Sequence, residues 1–218
     1  DWNCQNTIIQ YNYSHDNCGG FLLVCNNGSN VNTERNIGTT NTIIRYNVSI
    51  NDGIRPYKTT RRDWFAPTMH ISGPVENTQI YNNVFVIPEK QIAENDRTIV
   101  EMDNWGGPWP KNTLFANNIF YIDEKADFYF EGDIGTKFTN NCFYGEFENL
   151  PEDPAAIFED PQFENVTAYG EGFEVLKNFM LTKSSPLKDK GIPLFNKQGK
   201  DLFGNSLDSK ISIGVHEF

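Results

Sequence analysis

Two short motifs carry the residue types of acid–base chemistry. Glu101-Met-Asp103 and Glu131-Gly-Asp133 each read acid, small or apolar residue, acid. Alternation along a strand puts both acids of a motif on one face, with Val100, Met102 and Phe130 on the other. If the two strands lie side by side, four carboxylates meet. The segment Met69-His70-Ile71-Ser72 has the same alternation and would add an imidazole and a hydroxyl to that patch. Trp64, Trp105 and Trp109 lie nearby in the chain, and flat rings of this kind suit stacking on sugars. Paired carboxyls cleave glycosidic bonds: about 5–5.5 Å between them suits a retaining mechanism and about 6.5–9.5 Å an inverting one. Crowding of like charges would keep one carboxyl protonated as the acid. Two other readings stay open. Acids are ordinary on the solvated strands of an acidic protein, and Glu101, Asp103 and Asp133 are also the oxygen donors of a calcium site.

A second group is His15 and Asp16, with Asp52 repeating Asp16 in the equivalent turn Ser49 to Asp52. Asp16 is a further candidate catalytic acid and His15 a candidate for binding substrate. Both also suit a turn in which side chains bond their own backbone. Cations concentrate in the insertion Arg55 to Trp64. There Lys58, Arg61 or Arg62 would hold a substrate carboxylate, or supply the base of a calcium-assisted lyase acting on uronic acids. A solvated loop with local ion pairs accounts for the same residues.

The elements that would position these groups are legible as a repeat. Asn6-Thr-Ile-Ile-Gln-Tyr-Asn12 recurs as Asn41-Thr-Ile-Ile-Arg-Tyr-Asn47, Asn77-Thr-Gln-Ile-Tyr-Asn-Asn83 and Asn112-Thr-Leu-Phe-Ala-Asn-Asn118, with starts 35, 36 and 35 residues apart. A shortened copy follows at Thr139-Asn-Asn-Cys-Phe-Tyr-Gly145. Each copy alternates with period two, so it is a strand: Thr7 and Ile9, Thr42 and Ile44, Thr78 and Ile80, Thr113 and Phe115 share a face. The closing asparagines Asn12, Asn47, Asn83, Asn118 and Asn141 then form one column of side-chain amides, each able to bond the next. That column accounts for part of the 27 asparagines in 218 residues. Second strands are expected at Phe21 to Cys25, Thr68 to Ser72, Thr98 to Asp103 and Phe128 to Asp133. No segment has a helical pattern of useful length. The sequence therefore predicts an all-β coil of stacked parallel strands over residues 1–145. Residues 146–218, beginning with an acidic, proline-rich stretch, form an irregular C-terminal cap of the same domain.

Composition narrows the function classes. With 18 Lys and Arg against 29 Asp and Glu, the net charge is -11, so phosphate backbones and anionic bilayers are repelled over most of the surface. Nucleic acid is not an expected partner. No run approaches the roughly 20 apolar residues that cross a bilayer. The four cysteines, Cys4, Cys18, Cys25 and Cys142, have no CxxC spacing and are expected as free thiols, with no zinc site.

The repeat resembles that of right-handed parallel β-helix proteins secreted by bacteria. The opening Asp1 to Phe21, with Tyr13-Ser-His-Asp-Asn-Cys-Gly-Gly-Phe21, looks like a segment of large β-helix proteins related to glycoside hydrolases, in which the motif reads SHDNEGGF. Cys18 stands where that motif has Glu; if that glutamate supplies chemistry in the relatives, its replacement by a thiol removes the acid here. The endings Asp160-Pro-Gln-Phe163, Ser185-Pro-Leu-Lys-Asp-Lys-Gly191, Asp201-Leu-Phe-Gly-Asn205 and Ile213-Gly-Val-His-Glu217 are similar to the tails that close such coils. The resemblance implies a secreted, periplasmic or cell-surface protein that handles a polysaccharide, first as a glycoside hydrolase needing no cofactor. The alternatives are a non-catalytic glycan-binding module, or a polysaccharide lyase that uses calcium. An open coil end must be covered, so an N-terminal remainder of the chain is expected to precede Asp1.

Overall fold

The structure is a computed structural model that describes residues 2–28, 36–60, 63–89, 97–194, 199–207 and 210–218. Each copy of the repeat contributes short strands. The first has β1 (Ile8–Gln10), β2 (Tyr13–His15) and β3 (Leu22–Cys25). The second has β4 (Thr39–Thr40), β5 (Ile43–Arg45), β6 (Val48–Ile50) and β7 (Met69–Ser72). The third has β8 (Val75–Glu76), β9 (Gln79–Tyr81), β10 (Val84–Ile87) and β11 (Thr98–Asp103). The fourth has β12 (Leu114–Ala116) and a long β13 (Ile119–Phe130), and the last has β14 (Lys137–Thr139) and β15 (Cys142–Glu148).

Strands pair in parallel with the equivalent strand of the neighbouring copy. One sheet runs β1-β5-β9-β12-β14, in the register Ile9 to Ile44 to Ile80 to Phe115 to Phe138. A larger sheet runs β2-β6-β10-β13-β11-β7-β3, with β15 also on β13. It curls because β13 bends through it, pairing β10 with Ile119 to Ile122 and β11 with Asp127 to Phe130. A short pair, β4 and β8, lies between copies. This all-β, parallel arrangement is compatible with a β-solenoid. The fourth-copy strand expected from Phe128 to Asp133 is instead the end of the continuous β13, which stops at Phe130.

Inward residues stack on their copies. Phe85, Phe120 and Phe143 lie 5.3 and 5.2 Å apart with rings tilted by only 11° and 9°, and Phe115 lies on Phe138 at 4.4 Å. These separations bracket the roughly 4.8 Å strand spacing, so each ring fills the space that the pleat allots to it. Ile44, Ile80, Met69, Ile71 and Met102 complete the dry interior.

The expected amide column is present and continuous. Asn12 donates from both backbone and side chain to Oδ1 of Asn47 at 3.0 and 2.8 Å; Asn47 does the same to Asn83, Asn83 to Asn118 and Asn118 to Asn141, all between 2.9 and 3.1 Å. Asn141 ends the column on the carboxylate of Asp153, at 2.9 Å from each donor. The side-chain nitrogens also reach carbonyls of the preceding strands, as Asn83 does to Ile44 and Tyr81. More asparagines are explained by backbone shape. Asn6, Asn41, Asn77 and Asn112 have φ of 56 to 58°, and the residue before each column amide (Tyr11, Tyr46, Asn82, Asn117, Asn140) has φ of 51 to 59°. Asparagine tolerates this left-handed region better than most residues.

Residues beyond 148 cover more than the last copy. Asp153 and the Ile157 bridge to Cys142 close that end. The tail then runs along the flank: Leu176, Phe179, Leu181, Leu187, Ile213 and Val215 pack on Val48, Ile50, Val84, Val86 and Ile119. It reaches the first copy, where the hydroxyls of Tyr11 and Tyr13 donate to the carbonyls of Lys200 and Gly170. The cause is the apolar outer surface of β6, β10 and β13, which a cap at one end would leave wet. All four cysteines are free thiols, with Cys25 and Cys142 buried. No helix is long and apolar enough to cross a membrane among the described residues.

Two stability measurements follow from these contacts. Asn83→Ala removes an acceptor for two buried donors, so it is expected to destabilise by on the order of 3 kcal/mol in urea titration, against under about 1 kcal/mol for the exposed Asn12→Ala. Glu217, a tail residue only 4 % exposed, accepts from the backbone of Ser212 at 2.9 Å, and burial pushes its carboxyl from 4.5 up to about 7. The unfolded chain therefore releases this proton first, and stability falls as pH rises between those values, by at most about 3 kcal/mol. Glu217→Gln is expected to melt with the parent at pH 4 and clearly above it at pH 8.

Candidate functional site

The outward face of β3, β7, β11 and the end of β13 forms two columns. Register partners Leu23, His70, Glu101 and Tyr129 make one, and Cys25, Ser72 and Asp103 the other. Glu131 extends the second, because its backbone N–H donates to Met102 in the next step of the ladder. Inward neighbours Val100 and Met102 are buried in the core, so Glu101 between them and Asp103 after them are turned to the opposite face by the pleat.

The register corrects the expected pairing. Glu101 does not stand beside Glu131, nor Asp103 beside Asp133. Val100 pairs with Phe128, and an irregularity between Thr98 and Val100 absorbs an extra residue, so Tyr129 falls beside Glu101 and Glu131 beside Asp103. The strand-to-strand offset is two residues shorter than the motif spacing suggests. Asp133 lies past the strand, where it accepts from the backbone of Thr136 at 2.9 Å and lines a different cavity with Phe130 and Phe138. The four acids are thus not one patch, and the calcium set Glu101, Asp103 and Asp133 is not brought together. Among the described residues, the donors that do converge are His70, Glu101 and Asp103, whose ligand atoms lie within 4.8 Å of one another.

Glu101, Asp103, Asn104, Trp105, Gly106, Tyr129 and Glu131 line a cavity of about 510 Å³. Glu101 and Asp103 form its floor, each 1 % exposed, whereas Glu131 is exposed. Asp103 is held on both oxygens. His70 Nε2 lies 2.5 Å from Oδ2, while the Ser72 hydroxyl and the Trp105 backbone N–H, the latter at 3.0 Å, donate to Oδ1. Burial pushes this carboxyl up, but the His70 and Ser72 hydrogen bonds, the His70 charge and the Trp105 N–H outweigh it and bring it down to about 2. Asp103 is therefore a carboxylate at any ordinary pH.

Of the tryptophans, Trp105 lines the cavity and is 45 % exposed. Trp109 packs over Gly132, where an added Cβ would meet its ring at 3.0 Å. Trp64 is half-buried with the Lys58 ammonium 5.9 Å from its ring. Neither lines the cavity. Lys58 pairs with Asp63 at 2.6 Å, and Arg61 and Arg62 lie outside the described residues.

His15 and Asp16 belong to the other limb of the curled sheet, at the end of β2. Asp16 has φ of 54° and its Oδ2 is 2.8 Å from His15 Nδ1. Its Oδ1 accepts from Asn51, which in turn accepts from Arg97 at 3.1 Å. Asp52 is buried and accepts from Asn17 and Ser49. These contacts make a satisfied corner between strands, remote in topology from the cavity. Cys18 is exposed beside it.

Tyr129 was legible as an outward residue from its alternation with Phe128 and Phe130. The support of the Trp105 loop was not. An added Cβ at Gly107 would sit 2.3 Å from Gly28 Cα, and one at Gly28 2.3 Å from Gly107 N, so two backbones from distant copies touch beside the cavity. No family model matches the chain, and no curated protein matches it. Gly107→Ala is expected to push the 104–107 loop away from Gly28, at a cost of about 1–3 kcal/mol, and to raise hydrogen exchange across those residues, where the Gly107 and Gly106 N–H groups now bond to Asn104.

Proposed function

We propose that this chain is a right-handed parallel β-helix of the secreted, carbohydrate-active kind, and that it hydrolyses a polysaccharide at the Asp103 cavity. The observation that carries this reading is that Asp103, at the end of β11, and Glu131, one residue past the end of the neighbouring β13, line one cavity with Trp105 and Tyr129. Backbones of neighbouring strands lie about 4.8 Å apart, a spacing from which two side-chain carboxyls can reach the roughly 5–5.5 Å of a retaining pair. Trp105 and Tyr129 supply ring faces for a sugar.

In this reading an Asp103 oxygen bonds the anomeric carbon as the glycosidic C–O bond breaks, and the leaving oxygen takes the proton of Glu131. Water then cleaves the glycosyl ester, passing a proton to Glu131 and restoring the Asp103 carboxylate. Glu101, buried beside both, tunes the charge of the site. A second reading, a glycan-binding module without catalysis, draws on the depth of Glu101 and Asp103, which are nearly closed to solvent.

A panel of plant and host polysaccharides, incubated with calcium or with chelator while reducing ends and ultraviolet absorbance are followed, separates these readings. Hydrolysis is expected to yield reducing ends that persist in chelator, with a loss of about 10²–10⁴-fold in both Asp103→Asn and Glu131→Gln. An unsaturated, absorbing product that requires calcium would make the protein a lyase. Retained binding with neither signal would make it a binding module.

A further inference from the structure

Asp103 has partners outside the cavity lining. His70 is not among the lining residues; its side chain is 14 % exposed and meets the Phe65 ring edge to face, with centroids 5.2 Å apart. His70 and Ser72 stand two residues apart on β7, hence on one face, and each takes a different oxygen of Asp103. The Trp105 N–H adds a third hold from the loop that follows β11. Among the described residues, three donors from two segments thus hold the carboxylate. Because an ionised carboxylate only accepts, the His70 nitrogen facing it must carry the proton, whichever state the rest of the ring is in.

From this arrangement we infer that His70 and Ser72 are positioning residues for Asp103: they hold it as a fixed carboxylate facing the cavity, and His70 does not bind substrate. The assignment gives the nucleophile or base role to Asp103 and leaves the proton to a carboxyl outside this hydrogen-bonded group, Glu131 at the mouth. The catalytic part rests on the hydrolase reading; the hold on Asp103 does not. An Asp–His pair in which the acid is the buried anchor is a familiar way to orient imidazole. Here too the acid is the more buried partner, with a side chain 2 % exposed against 14 % for His70, yet it is the acid that lines the cavity.

The test uses the full chain with ¹³C-labelled aspartate carboxyls, followed by NMR through an acid titration. Asp103 is expected to titrate at about 2 in the parent, and about one unit or more higher in His70→Phe. His70→Gln, whose amide still donates, is expected to recover part of that shift. Ser72→Ala tests the other oxygen and serves if His70→Phe does not fold. On whichever polysaccharide is cleaved, His70→Phe is expected to lower kcat about tenfold or more, leave KM within about twofold and move the acid limb of the profile upward with the titration. An Asp103 titration unmoved by both His70→Phe and Ser72→Ala, or a rise in KM with kcat preserved, would overturn the inference. Absence of cleavage across the panel with the shift intact removes the hydrolase reading and keeps the hold on Asp103.

Discussion

A parallel stack of short strands has to place the same backbone polar groups in its interior corners at every step, and each must find a partner away from water. The column from Asn12 to Asn141 meets that requirement. One amide per copy receives two donors from the copy before, gives two to the copy after, and reaches back to carbonyls of the strands it joins. Register follows from it. A slip of one residue would turn every inward phenylalanine outward and would also leave a buried amide facing an aliphatic neighbour. The stacked rings of Phe85, Phe120 and Phe143 and the apolar interior around them are consequences of that alignment.

The cavity depends on the same alignment one strand further along. His70, Glu101 and Tyr129 stand in line because β7, β11 and β13 do, and Ser72 reaches Asp103 because the two are register partners. The sheet thus supplies two of the donors that hold Asp103, His70 and Ser72, and a loop supplies another through the Trp105 backbone. That loop is held in its turn by the close approach of Gly107 to Gly28, where any side chain would collide with backbone. Polar groups this deep are tolerable when their hydrogen bonds are met, and Asp103 meets them from both sides.

Most of the fold was legible in the sequence because its repeat is local: period two, constant spacing and a closing asparagine each have one structural meaning. The amide column was readable residue by residue. The site was readable only in part. Alternation correctly sends Glu101, Asp103 and Glu131 outward, yet motif similarity suggested a 30-residue step, while the strands pair at 28, Val100 with Phe128. Spacing between copies varies where loops are inserted, and loop length leaves no mark on strand alternation. The course of the tail was hidden for a related reason. Its contacts with Tyr11, Tyr46 and Val84 span more than a hundred residues, and only the apolar outer residues of β6 and β10 hint at a covering.

The amide column also bears on how this chain ages. Asparagine is lost when the backbone nitrogen of the following residue swings round and attacks the side-chain carbonyl, closing a succinimide ring. Here the nitrogens of Val48, Val84, Ile119 and Cys142, which follow four of the column asparagines, each donate to a carbonyl of the preceding copy at 2.8 or 2.9 Å. The side-chain carbonyls they would have to attack are clamped by two donors each. A protein that concentrates its most perishable residue in its frame has, by the same bonds, locked both reactants of the decay out of reach of each other.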